Sequence, residues 1–276
     1  MSWRSSGMVC FPHCKINLGL RVISKREDGY HNVDTCFYPV PWTDVLEILP
    51  AKTNSFTNSG IPIPGKPEQN LCLRAYYLLA EDFDLAPVSI HLHKIVPMGA
   101  GLGGGSSDAA FTLKLLNDIF ELGLSIDQLK NYAAQLGSDC SFFVGDNPML
   151  GSGRGEILDP INISLKGKDV VIVKPDVHIS TAEAYKGIAP AMPSNNVKNI
   201  VENTPVEGWR EVLVNDFEAS VFRQHLIIAE IKQRFYDEGA IYASMSGSGA
   251  SVFGIFDEPK DLSQKFGNMT YWSGAL

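Results

Sequence analysis

Pro97-Met-Gly-Ala-Gly-Leu-Gly-Gly-Gly-Ser-Ser-Asp-Ala-Ala110 is the stretch on which the reading of this chain turns. Five of its residues are glycine, and it lies between a strand-like run and a helix-like one. Upstream, Ser89-Ile-His-Leu-His-Lys-Ile-Val96 is alternating and rich in β-branched residues. Downstream, Ser107 to Phe120 sets apolar residues three and four apart among good helix formers. Glycine lets backbone approach a ligand closely, and a helix start offers unpaired N–H groups at the positive end of its dipole. Strand, glycine turn and helix together make a phosphate cradle. A merely flexible loop would need no helix start.

Several cradles share glycine. Gly99-x-Gly101-x-x-Gly104 matches the dinucleotide fingerprint, which continues helix, strand, with an acidic residue about 20 positions on. Here the next segment, Ser125 to Leu136, is a second helix, opened by a Ser125–Gln128 capping box and ended by Gly137 as a C′ residue. The dinucleotide reading therefore fails. A P-loop needs a lysine directly after its second glycine, and no lysine occurs between Lys94 and Lys114. The protein-kinase glycine loop joins two strands and opens no helix. The cradle belongs to another kind of phosphate enzyme.

At 276 residues the chain predicts one large or two medium domains. Its 45% apolar and 20% charged content is that of an ordinary globular protein. A net charge of −8 argues against a nucleic-acid or anionic-membrane surface, so an anionic substrate must be held by local donors. No apolar run approaches the roughly 20 residues that span a bilayer, and no signal-peptide pattern opens the chain. Residues 1–7 read as a disordered extension, with Met8 a candidate start. Cys10, Cys14, Cys36, Cys72 and Cys140 are scattered, without a Cys-x-x-Cys pair, which predicts reduced thiols in a cytoplasmic protein.

Cys14 to Ile23 alternates strictly, placing Ile16, Leu18, Leu20 and Val22 on one face and Lys15, Asn17, Gly19 and Arg21 on the other. Lys15 and Asn17 then share a face about 7 Å apart, two rises of about 3.4 Å. Arg26-Glu-Asp-Gly-Tyr-His31 is a hairpin turn with Tyr30 and His31 at its tip, a pair suited to stacking on and hydrogen bonding to a ring. Asn32 to Leu49 reads as strands broken by Pro39 and Pro41, residues 51–67 as a polar loop, and Asn70 to Glu81 as a helix capped by Asn70. Gly137-Ser-Asp-Cys-Ser-Phe-Phe143 places Asp139 at a helix-to-strand junction, where a local turn role competes with a functional one. Leu150-Gly-Ser-Gly-Arg-Gly-Glu156 marks a domain boundary. Beyond it come a buried strand at Lys168 to Lys174 and a hydroxyl-rich helix start at His178 to Tyr185. A loop over 187–205 precedes helices at Asn215 to Phe222 and Ile227 to Tyr236. A Ser/Gly loop within Ala243 to Phe256 then runs into a buried strand.

These motifs resemble the GHMP kinase superfamily, three of them in the family's order: the strand with Lys15, the Pro97–Ala110 loop and the Ser246–Ser251 loop. Lys15-Ile-Asn-Leu, Arg26-x-Asp-Gly-Tyr-His31, the triple glycine before Ser106, Leu136-Gly-Ser-Asp139, Gly151-x-Gly-x-Gly-Glu156 and Asn215-Asp-Phe-Glu218 narrow it further. They resemble the branch that phosphorylates the 2-hydroxyl of a cytidine-diphosphate ester of methylerythritol on the non-mevalonate route to isoprenoids. The resemblance implies a two-domain α+β fold, with a ribosomal-protein-S5-like α/β domain over 1–152 and a ferredoxin-like domain over 153–276. It implies ATP bound by Pro97, Met98, Gly99, Ala100, Gly101, Leu102, Gly103, Gly104, Gly105, Ser106 and Ser107. Asp139 matches the catalytic base and Lys15 the lysine that keeps it ionised. Asn17, Tyr30, His31, Thr181 and Tyr185 match substrate contacts, the two tyrosines enclosing cytosine and His31 reading its edge. Mg²⁺ would be held mostly by phosphates and water, with the Ser107 hydroxyl (or that of Ser106) its protein ligand.

The roles of Lys94, Asn70 and Arg154 stay open at this stage. The resemblance further implies a small-molecule substrate with neither nucleic acid nor membrane as partner, a monomer or homodimer, and a bacterial cytoplasmic setting. Another GHMP kinase, of homoserine or mevalonate type, and a non-catalytic anion-binding relative are the alternatives. Intact Lys15 and Asp139 argue against the second.

Overall fold

The computed structural model describes residues 7–276, so the reading of residues 1–6 as a disordered start lies outside the described residues. The first half of the chain forms β1 (Met8–Cys10), β2 (His13–Lys25), β3 (His31–Thr43), β4 (Val45–Pro50), β5 (Ser55–Gly60) and α1 (Leu71–Ala80). β6 (Val88–Lys94), α2 (Gly104–Ile119), α3 (Ile126–Leu136), β7 (Met149–Ser152), β8 (Ile157–Pro160) and β9 (Asp169–Lys174) follow. The remainder is α4 (Thr181–Lys186), α5 (Val197–Asn203), α6 (Trp209–Val212), α7 (Glu218–Gln224), α8 (Leu226–Asp237), β10 (Tyr242–Met245), β11 (Val252–Phe256), α9 (Ser263–Phe266) and β12 (Thr270–Ala275). Helices and strands are mixed throughout, as an α+β reading requires.

One compact unit comprises the described residues up to Cys14, Thr43–Met98 and Gly103–Asp146. Its sheet has the order β1-β4-β6-β5, antiparallel except where β5 runs parallel to β6. Alternation decides the faces: Leu46, Ile48, Ile90 and Leu92 are buried, while Glu47 and His91 between them are not. The same period turns Lys94 inward. β5 corrects the expected polar loop at 51–67. Ser55-Phe-Thr-Asn-Ser-Gly60 is an exposed edge strand whose partners are backbone groups of β6, so it needs no apolar alternation to form. The capping box at Ser125 is present; Gly137 ends α3 with extended backbone (φ 173°), not the left-handed conformation expected of a C′ glycine.

The other unit comprises Lys15–Trp42, Gly99–Leu102 and Asn147–Leu276. It holds the sheets β2-β3-β7-β8 and β10-β11-β9-β12. Val171 and Val173 of β9 and Val252 of β11 join a core with Ile228, Ile231 and Phe235 of α8. β3 runs unbroken through Pro39 and Pro41, against expectation. Both prolines point their missing N–H the same way, and β7 pairs only with Thr35, Cys36 and Phe37, so neither removes a ladder bond to β7. The expected loop at 187–205 contains α5, capped by the Asn196 side chain on the Asn199 N–H. α7 begins at Glu218, three residues later than the helix expected from Asn215.

Candidate active site

The glycine stretch folds as its composition demands. Gly103 is the N-cap of α2 with φ +71°, and no side chain caps the helix. The first N–H groups of this 16-residue helix therefore lack a side-chain acceptor. In the first turn the Ser107 hydroxyl is fully buried and makes no hydrogen bond within the described residues. A Cβ added to Gly105 would meet nothing within 4 Å. That open side borders a pocket of about 160 Å³, walled by Phe56 and Asn58 of β5, the segment from Ile63 to Leu71, Met98 and Asp108. Asn70 faces this pocket while its Oδ1 accepts the Cys72 N–H, so its role as cap leaves the amide donors for a ligand.

An ion cluster sits under the start of α2. Lys94, 1% exposed, donates to Asp44 and, at 2.8 Å, to Asp108. Asp44 Oδ1 also accepts the Ile95 and Val96 N–H groups, at 2.5 and 2.8 Å. Burial opposes the Lys94 charge, but the two carboxylates outweigh it and raise its pKa. Burial likewise pushes the Asp108 carboxyl well above the usual range, against the pull of Lys94 and with the help of the Asp44 charge. This settles Lys94 as a buried counter-ion.

In the other unit, Lys15 and Asn17 do share a face, but that face is buried: they are 3% and 2% exposed. Lys15 Nζ donates to Asn17 Oδ1 (2.5 Å) and to the Gly101 carbonyl (2.9 Å). Asn17 Nδ2 donates to Thr35 Oγ1, whose hydroxyl donates to the Gly19 carbonyl. The loop segment is held from two sides: the Lys15 N–H donates to Leu102 O, and the Ser251 N–H to Ala100 O. Gly101 has φ +78°, and a Cβ there would lie 1.9 Å from Ser246 O. Gly101→Ala is expected to distort the loop and raise the KM for ATP at least tenfold in a protein that still folds. Steady-state kinetics beside circular dichroism would check it, and an unchanged KM would show that the loop tolerates the shift.

Asp139 is half-buried and followed by a 3-10 helix, Cys140–Val144, instead of the expected strand. The Ser138 hydroxyl donates to Asp139 Oδ1 at 3.3 Å. The neighbouring Cys140 thiol is pushed up to about 11, by burial first and by the Asp139 charge, against a hydrogen bond with Ser106. Of the substrate positions, His31 stacks on Tyr185 with ring centroids 4.5 Å apart and planes 16° from parallel. The exposed Tyr30 ring lies 5.0 Å under the Arg154 guanidinium. Thr181 opens α4, where the Ser180 side chain already accepts the Glu183 N–H. Burial, then the Lys25 charge, lowers the His31 pKa and favours the neutral ring.

Sequence reasoning missed the β5 side of the pocket and Asp44. An edge strand has no periodic signal, and Asp44 reaches its partner across 50 positions. No group of three His, Cys, Asp or Glu among the described residues could hold a metal ion. Ser107, an orphaned hydroxyl in the first turn of a helix that no side chain caps, suits a magnesium ion carried in on phosphates. No helix among the described residues is long and apolar enough to cross a membrane.

Comparison with known proteins bears on the whole chain. Residues 70–146 match the GHMP kinases N terminal domain, and residues 198–270 the GHMP kinases C terminal domain. A 4-diphosphocytidyl-2-C-methyl-D-erythritol kinase of Bacteroides thetaiotaomicron is 54% identical over 254 residues, covering 91% of this chain and 92% of its own. One from Cytophaga hutchinsonii is 49% identical, covering 95% and 97%. A crystal structure of 4-(cytidine 5'-diphospho)-2C-methyl-D-erythritol kinase superposes with a TM-score of 0.83 at 31% identity, covering 97% of this chain and 98% of its own.

Proposed function

Because the chain belongs to the GHMP kinases, and within them to the 4-diphosphocytidyl-2-C-methyl-D-erythritol kinases, we propose a specific division of labour for its residues. The chain is an ATP-dependent phosphotransferase with the two-domain α+β fold of that family. Its substrate is 4-diphosphocytidyl-2-C-methyl-D-erythritol, phosphorylated on the 2-hydroxyl with release of ADP. The homoserine and mevalonate alternatives are not favoured by relatives at about half identity that carry the cytidyl-methylerythritol name.

The observation that carries this reading is the start of α2, a 16-residue helix opened by glycine without a side-chain cap, with the buried Ser107 hydroxyl unpartnered. Its N–H groups and dipole hold the ATP phosphates. The base lies in the pocket between β5 and Gly105, where Asn70 presents its amide. Asp139 takes the proton of the 2-hydroxyl as that oxygen bonds to the γ-phosphorus and the bond to ADP breaks. Lys15 offsets the negative charge that collects on the transferring group. The Ser107 hydroxyl would help to hold Mg²⁺ carried in on the phosphates, and the ion would supply charge neutralisation there. Residues 1–152 supply most of the nucleotide site together with Asn17, Tyr30 and His31 for the substrate, and residues 153–276 add Thr181 and Tyr185. The reading asks for a small-molecule partner only and a bacterial cytoplasmic setting.

ATP consumption measured with each candidate alcohol tests the substrate. Turnover with the cytidyl diphosphate compound alone is the expected result, and faster turnover of homoserine or mevalonate would replace the reading. Tyr30→Ala is expected to raise the KM for the cytidyl substrate about tenfold, from a lost stacking face worth about 1–1.5 kcal/mol, with the KM for ATP unchanged. Equal losses for both ligands would displace Tyr30 from the cytosine contact.

A further inference from the structure

The Asn215-Asp-Phe-Glu218 segment takes no part in the proposed chemistry, yet it is built as a clamp. Asn215 is 3% exposed, and its Nδ2 donates to Met245 O (2.7 Å) and Gly247 O (2.8 Å), the carbonyls on either side of Ser246. Its Oδ1 accepts the Phe217 N–H at 3.0 Å. Glu218 holds the same loop from below, accepting the Met245 N–H (2.8 Å) and the Ser244 hydroxyl (3.1 Å) while Lys232 neutralises it. The segment is also stitched to β2, through Leu20 N–H to Val214 O (2.9 Å) and Asp216 N–H to Leu20 O (2.8 Å). β2 is the strand that carries Lys15.

What the clamp holds is the acceptor of the site lysine. Ser246 Oγ donates to Gly101 O at 2.8 Å, the carbonyl that also receives Lys15 Nζ at 2.9 Å. The Asn17 N–H donates to the same Ser246 hydroxyl at 3.3 Å, and Asn17 Oδ1 is the second acceptor of Lys15. A Cβ on Gly247 would sit 3.2 Å from the Gly101 Cα, so the two loops meet backbone to backbone. A lysine side chain has four rotatable bonds and a charge free to swing, and only fixed acceptors give it a direction.

We propose that Asn215 is a positioning residue for phosphoryl transfer: through the Ser246 loop it fixes the Gly101 carbonyl, and with it the direction of the Lys15 ammonium. The inference rests on the reading of Lys15 as part of the site.

The test is a set of double-mutant cycles with kcat and both KM values measured for folded variants, using single turnovers where activity is low. Asn215→Ala and Asn215→Asp, which keeps the volume but loses both donors, are each expected to lower kcat about tenfold, with both KM values within about twofold. In a Lys15→Ala background Asn215→Ala should cost nothing more, since its effect runs through Lys15. Ser246→Ala, which removes a single oxygen, carries the same expectation and decides the matter if the Asn215 variants do not fold. Full kcat in folded variants, or losses that multiply with Lys15→Ala, overturns the inference. Near-normal turnover of Lys15→Ala would instead overturn the reading of Lys15, and the inference with it.

Discussion

Asp139→Asn should lose about 10³-fold in kcat while melting at the same temperature as the parent, the middle of the range that positioned proton transfer contributes. The substitution keeps the size of the side chain and its place before the Cys140–Val144 helix, and removes only the basic oxygen. The hydroxyl of Ser138 donates to its carboxylate, and an asparagine Oδ1 accepts that bond equally well. The KM for ATP should stay put, since the nucleotide site proposed above is the start of α2 and the pocket beside it. Rapid-quench single turnovers report the phosphoryl step directly. Recovery of more than a tenth of parental turnover in a folded Asp139→Asn protein would remove the residue from the role of base.

Lys94→Met carries the largest effect on stability. It leaves Asp44 and Asp108 facing one another without their shared counter-ion, in surroundings where Lys94 and Asp44 are 1% and 0% exposed. Breaking a buried pair in this way costs about 3–5 kcal/mol. At about 2–4 °C per kcal/mol for a domain of such size, the melting temperature should fall by roughly ten degrees. The loss has a pH signature. The Asp108 carboxyl already titrates above the ordinary range, and without Lys94 it would rise further. A folded-state pKa above the unfolded one destabilises the fold wherever the acid is ionised in the unfolded chain, and the penalty fades as pH falls. Parent and variant should therefore differ most near pH 8 and less near pH 5. A gap that widened on acidification would contradict the cluster as drawn. Methionine at 94 paired with Asp108→Asn should regain part of the loss at pH 8, since a neutral amide needs no counter-ion.

Much of the architecture was legible from short-range chemistry. The alternation from Cys14 to Ile23 predicted β2 and the shared face of Lys15 and Asn17, because a strand's side-chain period is two whatever it pairs with. Asn70 and Ser125 announced their helices, since a cap bonds two or three residues away. β5 went unread because its six residues gain their partners from β6, some 34 positions on, and are mostly exposed. Pro39 and Pro41 misled for the related reason that a proline breaks a strand only where a neighbour needs its N–H.

The start of α2, with its glycines and hydroxyls, was thus announced by residues 97–110 alone, because a helix end exposes its N–H groups without help from the rest of the chain. What surrounds that helix start required the fold. The role of Lys94 stays open in sequence, and it becomes a buried counter-ion because Asp44 arrives from 50 residues away and Asp108 from 14. Lys15 is aimed by Gly101, 86 positions distant, and Gly101 in turn by Ser246, 145 further on. Periodicity and capping act over a few residues, whereas the burial of a charge and the direction of a donor depend on which distant segments close around it.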